Sequence, residues 1–228
     1  MAGYMYLGSQ RVCPAVVSGG SEPTEYFTFK FPDNMVEPPQ QSYYISPQIE
    51  IDYSNLEPAC VDFNNIKVFS GNLSPSSFGK VPLIPKVEKI EKLTGKGLVY
   101  AFKNCLALEG HKDIVFESLV EVDDSAIGCA FLNQTTKTFE NIYFPKLTKI
   151  GSTAFVGFGN KGVNVYFNAV TSATFPNGDE LEMFGFQGEE KTLHFPSNLS
   201  SVIPNQSGYP NFGATTLTIL YDLEPTEN

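Results

Sequence analysis

Short runs in which apolar and polar residues alternate recur through the second half of the chain. DIVFES centres on Phe116, NIYFPK on Phe144, NVYFNA on Phe167, TLHFPS on Phe195 and TLTILY on Ile219. Alternation puts successive side chains on opposite faces of a strand, which predicts strands at 114–116, 142–144, 165–167, 193–195 and 217–219. A second marker keeps similar time: Ala101-Phe102, Ala130-Phe131, Ala154-Phe155, Met183-Phe184 and Asn211-Phe212. Both recur at intervals of about 23–29 residues, which marks an internal repeat. Its basic period lies in the low twenties, with about five extra residues in some copies. LIPKVEKI, from Leu83 to Ile90, matches YFPKLTKI, from Tyr143 to Ile150, and is expected to open the array.

The residues of one repeat fit this reading. Ile142 and Phe144 point one way and Tyr143 the other. Pro145 ends the strand because it cannot donate to the ladder. Leu147 and Ile150 turn the chain inward, Gly151 allows the bend, and Phe155 closes the core from the far side. One such unit cannot bury its own apolar face, but stacked units can, with strands about 4.8 Å apart. The expected fold is mainly β: an N-terminal β segment, then a solenoid with a parallel sheet.

The first eighty residues show no such period. YMYLGSQRV reads as a hairpin turning at Gly8, YFTFKF (Tyr26 to Phe31) as a strand, and YYISPQIEIDY as a strand broken at Pro47. Two regions follow: residues 1–78 as a β or docking segment, and 79–228 as the solenoid.

Composition narrows the function classes. Nineteen Gly and 16 Pro in 228 residues favour turns and strands over long helices. The formal charge is −10 with scattered acids, which argues against a nucleic-acid partner. Four Cys without CxxC spacing and only two His, His111 and His194, argue against zinc and against a disulfide scaffold. No run of apolar residues is long enough to span a membrane as a helix. The opening MAGYMYLGSQRVCPAVVSGG lacks a charged segment followed by an apolar one, so synthesis and folding in a cytoplasm are expected.

No hydrolase, metalloprotease, phosphate-loop or dinucleotide motif occurs. GFGNKG (Gly157 to Gly162) reads as a surface turn. EVDDSAIG (Glu121 to Gly128) lacks the ligand spacing of a calcium loop. The expectation is a non-enzyme with no cofactor and no metal. The candidate binding surface is the set of outward strand positions: Asp113 and Val115, Asn141 and Tyr143, Asn164 and Tyr166, Thr192 and His194, with Thr216 and Thr218 in the last strand. In register, they give one column reading Val-Tyr-Tyr-His-Thr beside another reading Asp-Asn-Asn-Thr-Thr. Tyr and His offer amphipathic contacts at low rotamer cost, and Asn and Asp offer hydrogen bonds.

FENIYFPKLTKIGSTAF resembles the surface-antigen type of leucine-rich repeat, in its apolar-x-apolar-Pro strand, its Ile-Gly and its Ala-Phe. The resemblance spans roughly residues 80–222, and departs from the pattern at Asn168, where Pro is replaced. It implies a binding or adhesive module. The start YLGSQRVCPAV is similar to the starts of structural proteins of tailed phages of gut bacteria, over about a dozen residues. Together these imply a non-enzymatic bacteriophage virion structural protein or a tail or head fibre. It would be made in the host cytoplasm and carried in the virion. Residues 1–60 would dock to other virion proteins, and the repeats would face a host-surface protein or glycan, in a homo-oligomer. The alternative is a bacterial cell-surface leucine-rich-repeat adhesin.

Overall fold

The computed structural model describes residues 3–7, 10–14, 27–37, 42–47, 59–73, 82–99, 101–102, 106–107, 112–128, 130, 139–151, 154–155, 162–174, 191–201 and 217–225. Among them the protein is mainly β, with no α-helix, and the chain winds as a β-solenoid whose parallel strands stack coil upon coil.

Five parallel strands form the front sheet: Asp113–Val115, Asn141–Phe144, Val163–Phe167, Lys191–Pro196 and Leu217–Leu223, in that order. Ile114, Ile142, Val165, Leu193 and Ile219 share one level of the ladder. The first four of these are at most 2% exposed, as are Phe144, Phe167 and Phe195 two residues on. The period-2 pattern thus sends alternate side chains into the core.

Past each front strand the apolar spacing changes from two to three. Phe63-Ile66-Phe69, Val87-Ile90-Leu93, Phe116-Leu119-Val122 and Phe144-Leu147-Ile150 are equivalent, and all but Ile150 are buried. In the first three sets the middle N–H bonds back to the first carbonyl: Ile66 to Phe63 at 3.0 Å, Ile90 to Val87 at 3.2 Å and Leu119 to Phe116 at 3.3 Å. This tight turn carries the chain round a corner while both side chains stay inward. The third residue then enters a side sheet of two-residue parallel strands, Val68–Phe69, Lys92–Leu93, Glu121–Val122 and Lys149–Ile150. Along this side, one carbonyl serves two donors of the next coil at each of four levels. Val36 accepts from Lys67 and Val68, Lys67 from Glu91 and Lys92, Glu91 from Val120 and Glu121, and Val120 from Thr148 and Lys149.

Coils differ in length for a visible reason. Ala101 follows Lys92, and Ala130 follows Glu121, by nine positions, whereas Ala154 follows Lys149 by five. The longer coils carry an extra turn, which buries Leu98 in one and Ile127 in the other. The shorter coil goes straight from Gly151, whose carbonyl accepts from Ala154 at 3.2 Å. A Cβ on Gly151 would lie 2.4 Å from the Asp124 nitrogen, and one on Gly97 2.4 Å from the Ala126 oxygen, so each coil packs on its neighbour's backbone at a glycine. After the side ladder ends, Ser172–Thr174 forms a 3-10 turn, and the Thr174 hydroxyl donates to the Thr148 carbonyl at 2.9 Å.

The core is one cluster from Phe31 to Leu199. Inside the front sheet, Phe116, Phe144, Phe167 and Phe195 stack with centroids 4.9, 5.4 and 5.3 Å apart. Phe155 lies edge-on to Phe144 and Phe167, 5.3 Å from each.

Three features differ from the sequence reading. First, parallel stacking begins well before residue 79. Phe27–Lys30, Ala59–Asp62, Pro82–Lys86 and Leu106–Ala107 form a second parallel sheet, joined to the rest by the common side sheet and core. The repeat is present there as Phe63-Ile66-Phe69, but NNIKV gives no Pro or Ile-Gly to mark it. Second, LIPKVEKI does not align with YFPKLTKI as matched. Leu93, not Ile90, is the ladder partner of Val122 and through it of Ile150, so the true offset is three residues. A three-residue apolar period makes that slip invisible to pattern matching. Third, the last strand is shifted by two: Ile219 pairs with Leu193, not Phe195. The markers Phe131, Met183-Phe184 and Asn211-Phe212, together with His111, Cys105, Cys129 and Thr216, lie outside the described residues.

A fourth, mixed sheet lies at the N-terminal end, in the order Gln10–Pro14, Gly3–Leu7, Ser42–Pro47, Asn72–Leu73. Gly3–Leu7 pairs antiparallel with both neighbours, and Ser42–Pro47 runs parallel to Asn72–Leu73. The two strands of the expected hairpin therefore pair, Gly8 itself lying outside the described residues, and their sheet is tied to the solenoid's own chain.

Candidate functional site

The outer face of the front sheet gathers the eight positions singled out in the sequence. Asp113, Asn141, Asn164, Thr192 and Thr218 form one row across the strands, and Val115, Tyr143, Tyr166, His194 and Leu220 form the next. The expected columns hold over four coils. In the last coil Leu220, not Thr218, stands beside His194, because of the two-residue shift.

The polar row is a chain of amides. Asn141 Nδ2 donates to Asp113 Oδ1 at 2.8 Å, and Asn164 Nδ2 donates to Asn141 Oδ1 at 3.0 Å. Each amide keeps one further N–H for another acceptor. The aromatic row is stacked. Tyr143 and Tyr166 lie 4.6 Å apart and 14° from parallel, and Tyr166 and His194 lie 4.2 Å apart and 12° from parallel. The spacing follows from the distance between strands, about 4.8 Å, which brings equivalent rings to stacking distance.

This stacking decides what the face can offer. Ring faces are turned to one another, and their edges and hydroxyls point outward. Burial raises the Tyr143 phenol above its ordinary range, with Asp113 and Tyr166 adding to it. Burial also raises Tyr166, with help from Asp222 and Asp113. Both hydroxyls therefore stay protonated at neutral pH and can donate. Val115, 36% exposed, and Leu220, 39% exposed, lie at the two ends of the row as apolar shoulders.

His194 is not the exposed contact residue expected from its outward position. It is 8% exposed, stacked under Tyr166, with Nδ1 held by both oxygens of Asp222 at 3.0 and 2.9 Å. Its Nε2 is buried without a hydrogen-bond partner among the described residues. Asp222 was missed by the sequence reading, although the alternation Thr218, Leu220, Asp222 in LTILYDL places it on the same face.

The side face carries a different chemistry. Lys92 reaches Glu121 at 2.7 Å and Asp123 at 3.6 Å, Lys149 reaches Glu121 at 3.5 Å, and Lys67 pairs with Glu91 at 2.6 Å. The hydrogen bond from Lys92 lowers the Glu121 pKa, and Glu121 in turn raises that of Lys92. Of these, Glu121, Asp123 and Lys149 line an open groove with Asp124, Gly95 and Gly151. The ion pairs link successive coils, and the turn in EVDDSAIG is part of this wall. Among the described residues no three His, Cys, Asp or Glu side chains converge as metal ligands, and no helix is long and apolar enough to cross a membrane. No protein-family model, no curated protein and no solved structure matches the chain.

Proposed function

We propose that the protein is a non-enzymatic binding solenoid displayed on a larger assembly, as a virion structural or fibre protein. The observation that carries this reading is the outer face of the front sheet. Five strands, in register across these two rows, hold a stacked aromatic row and an amide row on a scaffold whose core is closed coil by coil. A surface ordered in this way loses little entropy on binding, and its Tyr hydroxyls, free amide N–H groups and apolar shoulders suit protein recognition. Because the ring faces are covered by one another, a sugar has no aromatic plane to lie on, so a host-surface protein is favoured over a glycan.

Docking to the particle falls to the mixed sheet. Phe27–Lys30, within the segment expected to dock, pairs with Ala59–Asp62, which pairs in turn with Pro82–Lys86. Phe27–Lys30 is the outer strand of its sheet but packs against Gly3–Leu7 and Gln10–Pro14, so Gln10–Pro14, the outer strand of the mixed sheet, is the edge that would receive a strand from another virion protein. The similarity of YLGSQRVCPAV to phage structural proteins supports the same assignment, and the repeat pattern supports an adhesive role.

Mass spectrometry of purified particles from the producing culture tests the reading. The protein is expected in the particles at multiple copies. Its recovery only from cell envelopes would favour the surface-adhesin alternative. Deletion of residues 1–14 is expected to leave a folded solenoid that no longer joins the particle, and normal incorporation would refute docking by this sheet.

A further inference from the structure

The outer face of the front sheet ends in the same way on both sides. In its first strand Asp113 and Val115 are exposed on either side of the buried Ile114. In its last strand Leu220 and Asp222 are exposed, and Asp222 is held toward the outer face by His194 Nδ1 at 3.0 and 2.9 Å. Each end therefore sets a carboxylate beside an aliphatic side chain, and the stack of Tyr143, Tyr166 and His194 lies between them. The two rows contain no Lys or Arg. Among the described residues neither Asp113 nor Asp222 pairs with one, and Lys112, next to Asp113, is bonded to Glu140. The side face is the opposite case, because Lys67, Lys92 and Lys149 already answer its acids there. The charge of the front is felt along the whole aromatic row. After burial, Asp113 holds the Tyr143 phenol up, and Asp222 and Asp113 do so at Tyr166.

We infer that this face takes a protein segment bearing two arginines, one seated on Asp113 and Val115 and the other on Asp222 and Leu220. The inference rests on the outer face being the binding surface and names the chemistry of its partner. Arginine fits each end because its aliphatic stem covers the apolar shoulder while its planar fork meets the carboxylate. The two ends are four strand steps apart, about 19 Å at about 4.8 Å each, and an extended segment crosses that in about six residues. An even spacing puts both arginines on one side of the segment. Between them, its backbone carbonyls meet the Tyr hydroxyls and the spare amide N–H groups of Asn141 and Asn164. Asp113, as a carboxylate, only accepts, so the amide row ends on a group that asks for a donor from the partner.

Two short peptides of Thr, Ser and Val test it, one with arginines about six positions apart and one with citrulline, the uncharged isostere, in their place. Each is titrated into the full chain, labelled with nitrogen-15 and followed by NMR. The arginine peptide is expected to shift the amides of 113–115, 141–144, 164–166 and 218–222, and to bind more weakly as salt is raised. Asp113→Asn and Asp222→Asn keep an oxygen for Asn141 and for His194 and remove only the charge. Each is expected to weaken binding about threefold, and both together about tenfold. Glu88→Gln removes the same charge from an exposed position beyond the strand Pro82–Lys86 and is expected to leave binding unchanged. Equal binding of the citrulline peptide at the same amides overturns the basic partner while leaving the face as a binding surface. Shifts confined to other parts of the chain overturn both. Failure of the arginine peptide to bind, or a loss with Glu88→Gln equal to that with Asp113→Asn, overturns the inference.

Discussion

The front sheet carries a stacked aromatic row on each face, in the same coils and at nearly the same pitch. On the inside, Phe116, Phe144, Phe167 and Phe195 are wholly buried, and Phe155 crosses two of them edge-on. On the outside, Tyr143 and Tyr166 are half-buried and lead to His194. One backbone register produces both rows, so their geometry is nearly equal and their energetics are not. The inner rings lose all contact with water, and Phe144 and Phe167 are clamped in two directions. The outer rings gain stacking but keep a polar edge in solvent. Stacking by itself therefore does not distinguish a core from a display surface; the second, perpendicular contact does.

Adjacent residues on the two faces give the sharpest comparison. Phe144→Ala should lower unfolding free energy by about 3–5 kcal/mol in chemical denaturation, because it opens a cavity among Phe116, Phe155 and Phe167. A loss no greater than that of its outer neighbour would erase the distinction between the rows. Gly151→Ala comes next, at about 1–3 kcal/mol, since its Cβ has to displace the Asp124 backbone of the neighbouring coil. An unchanged melting temperature would show that the coils are less closely seated than described. Tyr143→Ala should cost about 0.5–1.5 kcal/mol, the range of an aromatic pair, while weakening partner binding more than Phe144→Leu does. Equal effects of both on binding would remove the outer row from the site.

The smallest effect concerns the side face. Glu121 has its pKa lowered from the ordinary 4.5, chiefly by the hydrogen bond from Lys92. A depressed folded pKa stabilises the protein fully above the unfolded value and is lost as pH falls through the folded value. The raised Lys92 pKa acts at the other end, its contribution fading as pH climbs past the ordinary 10.5. Glu121→Gln should flatten the stability profile below about pH 4.5, by no more than about 0.5 kcal/mol for so exposed a pair. An unchanged profile would mean the pair is neutral to folding.

The sequence made the solenoid legible where strand and corner both carried strong signals. NIYFPKLTKIGSTAF has an alternating strand, a Pro stop and a Gly at a contact that excludes a side chain, and its strand lies within one residue of the expected bounds. Phe63-Ile66-Phe69 was missed because its corner rests on Asn64. That residue takes a positive φ of 52° and donates through Nδ2 to the Phe31 carbonyl at 3.0 Å. An Asn in a left-handed corner reads locally as an ordinary loop. The outer columns were legible because register follows from parity. The burial of His194 was not, because it depends on Asp222, a residue 28 positions away.

The carbonyls that each serve two donors have a consequence for how such a chain can grow. Val36, Lys67, Glu91 and Val120 act as splice points: a copied stretch running from one to the next begins and ends in the same bonding state, whatever its length. The stretches between these carbonyls are 31, 24 and 29 residues long, so stretches of unequal length are already interchangeable in this sense. A duplication of the stretch from Glu91 to Val120, which carries Asp113–Val115, would lengthen the outer rows by one rung without disturbing the rungs on either side. The reach of the surface could then be adjusted in whole steps, while a cut inside Phe-x-x-Leu would break the corner and both coils beside it.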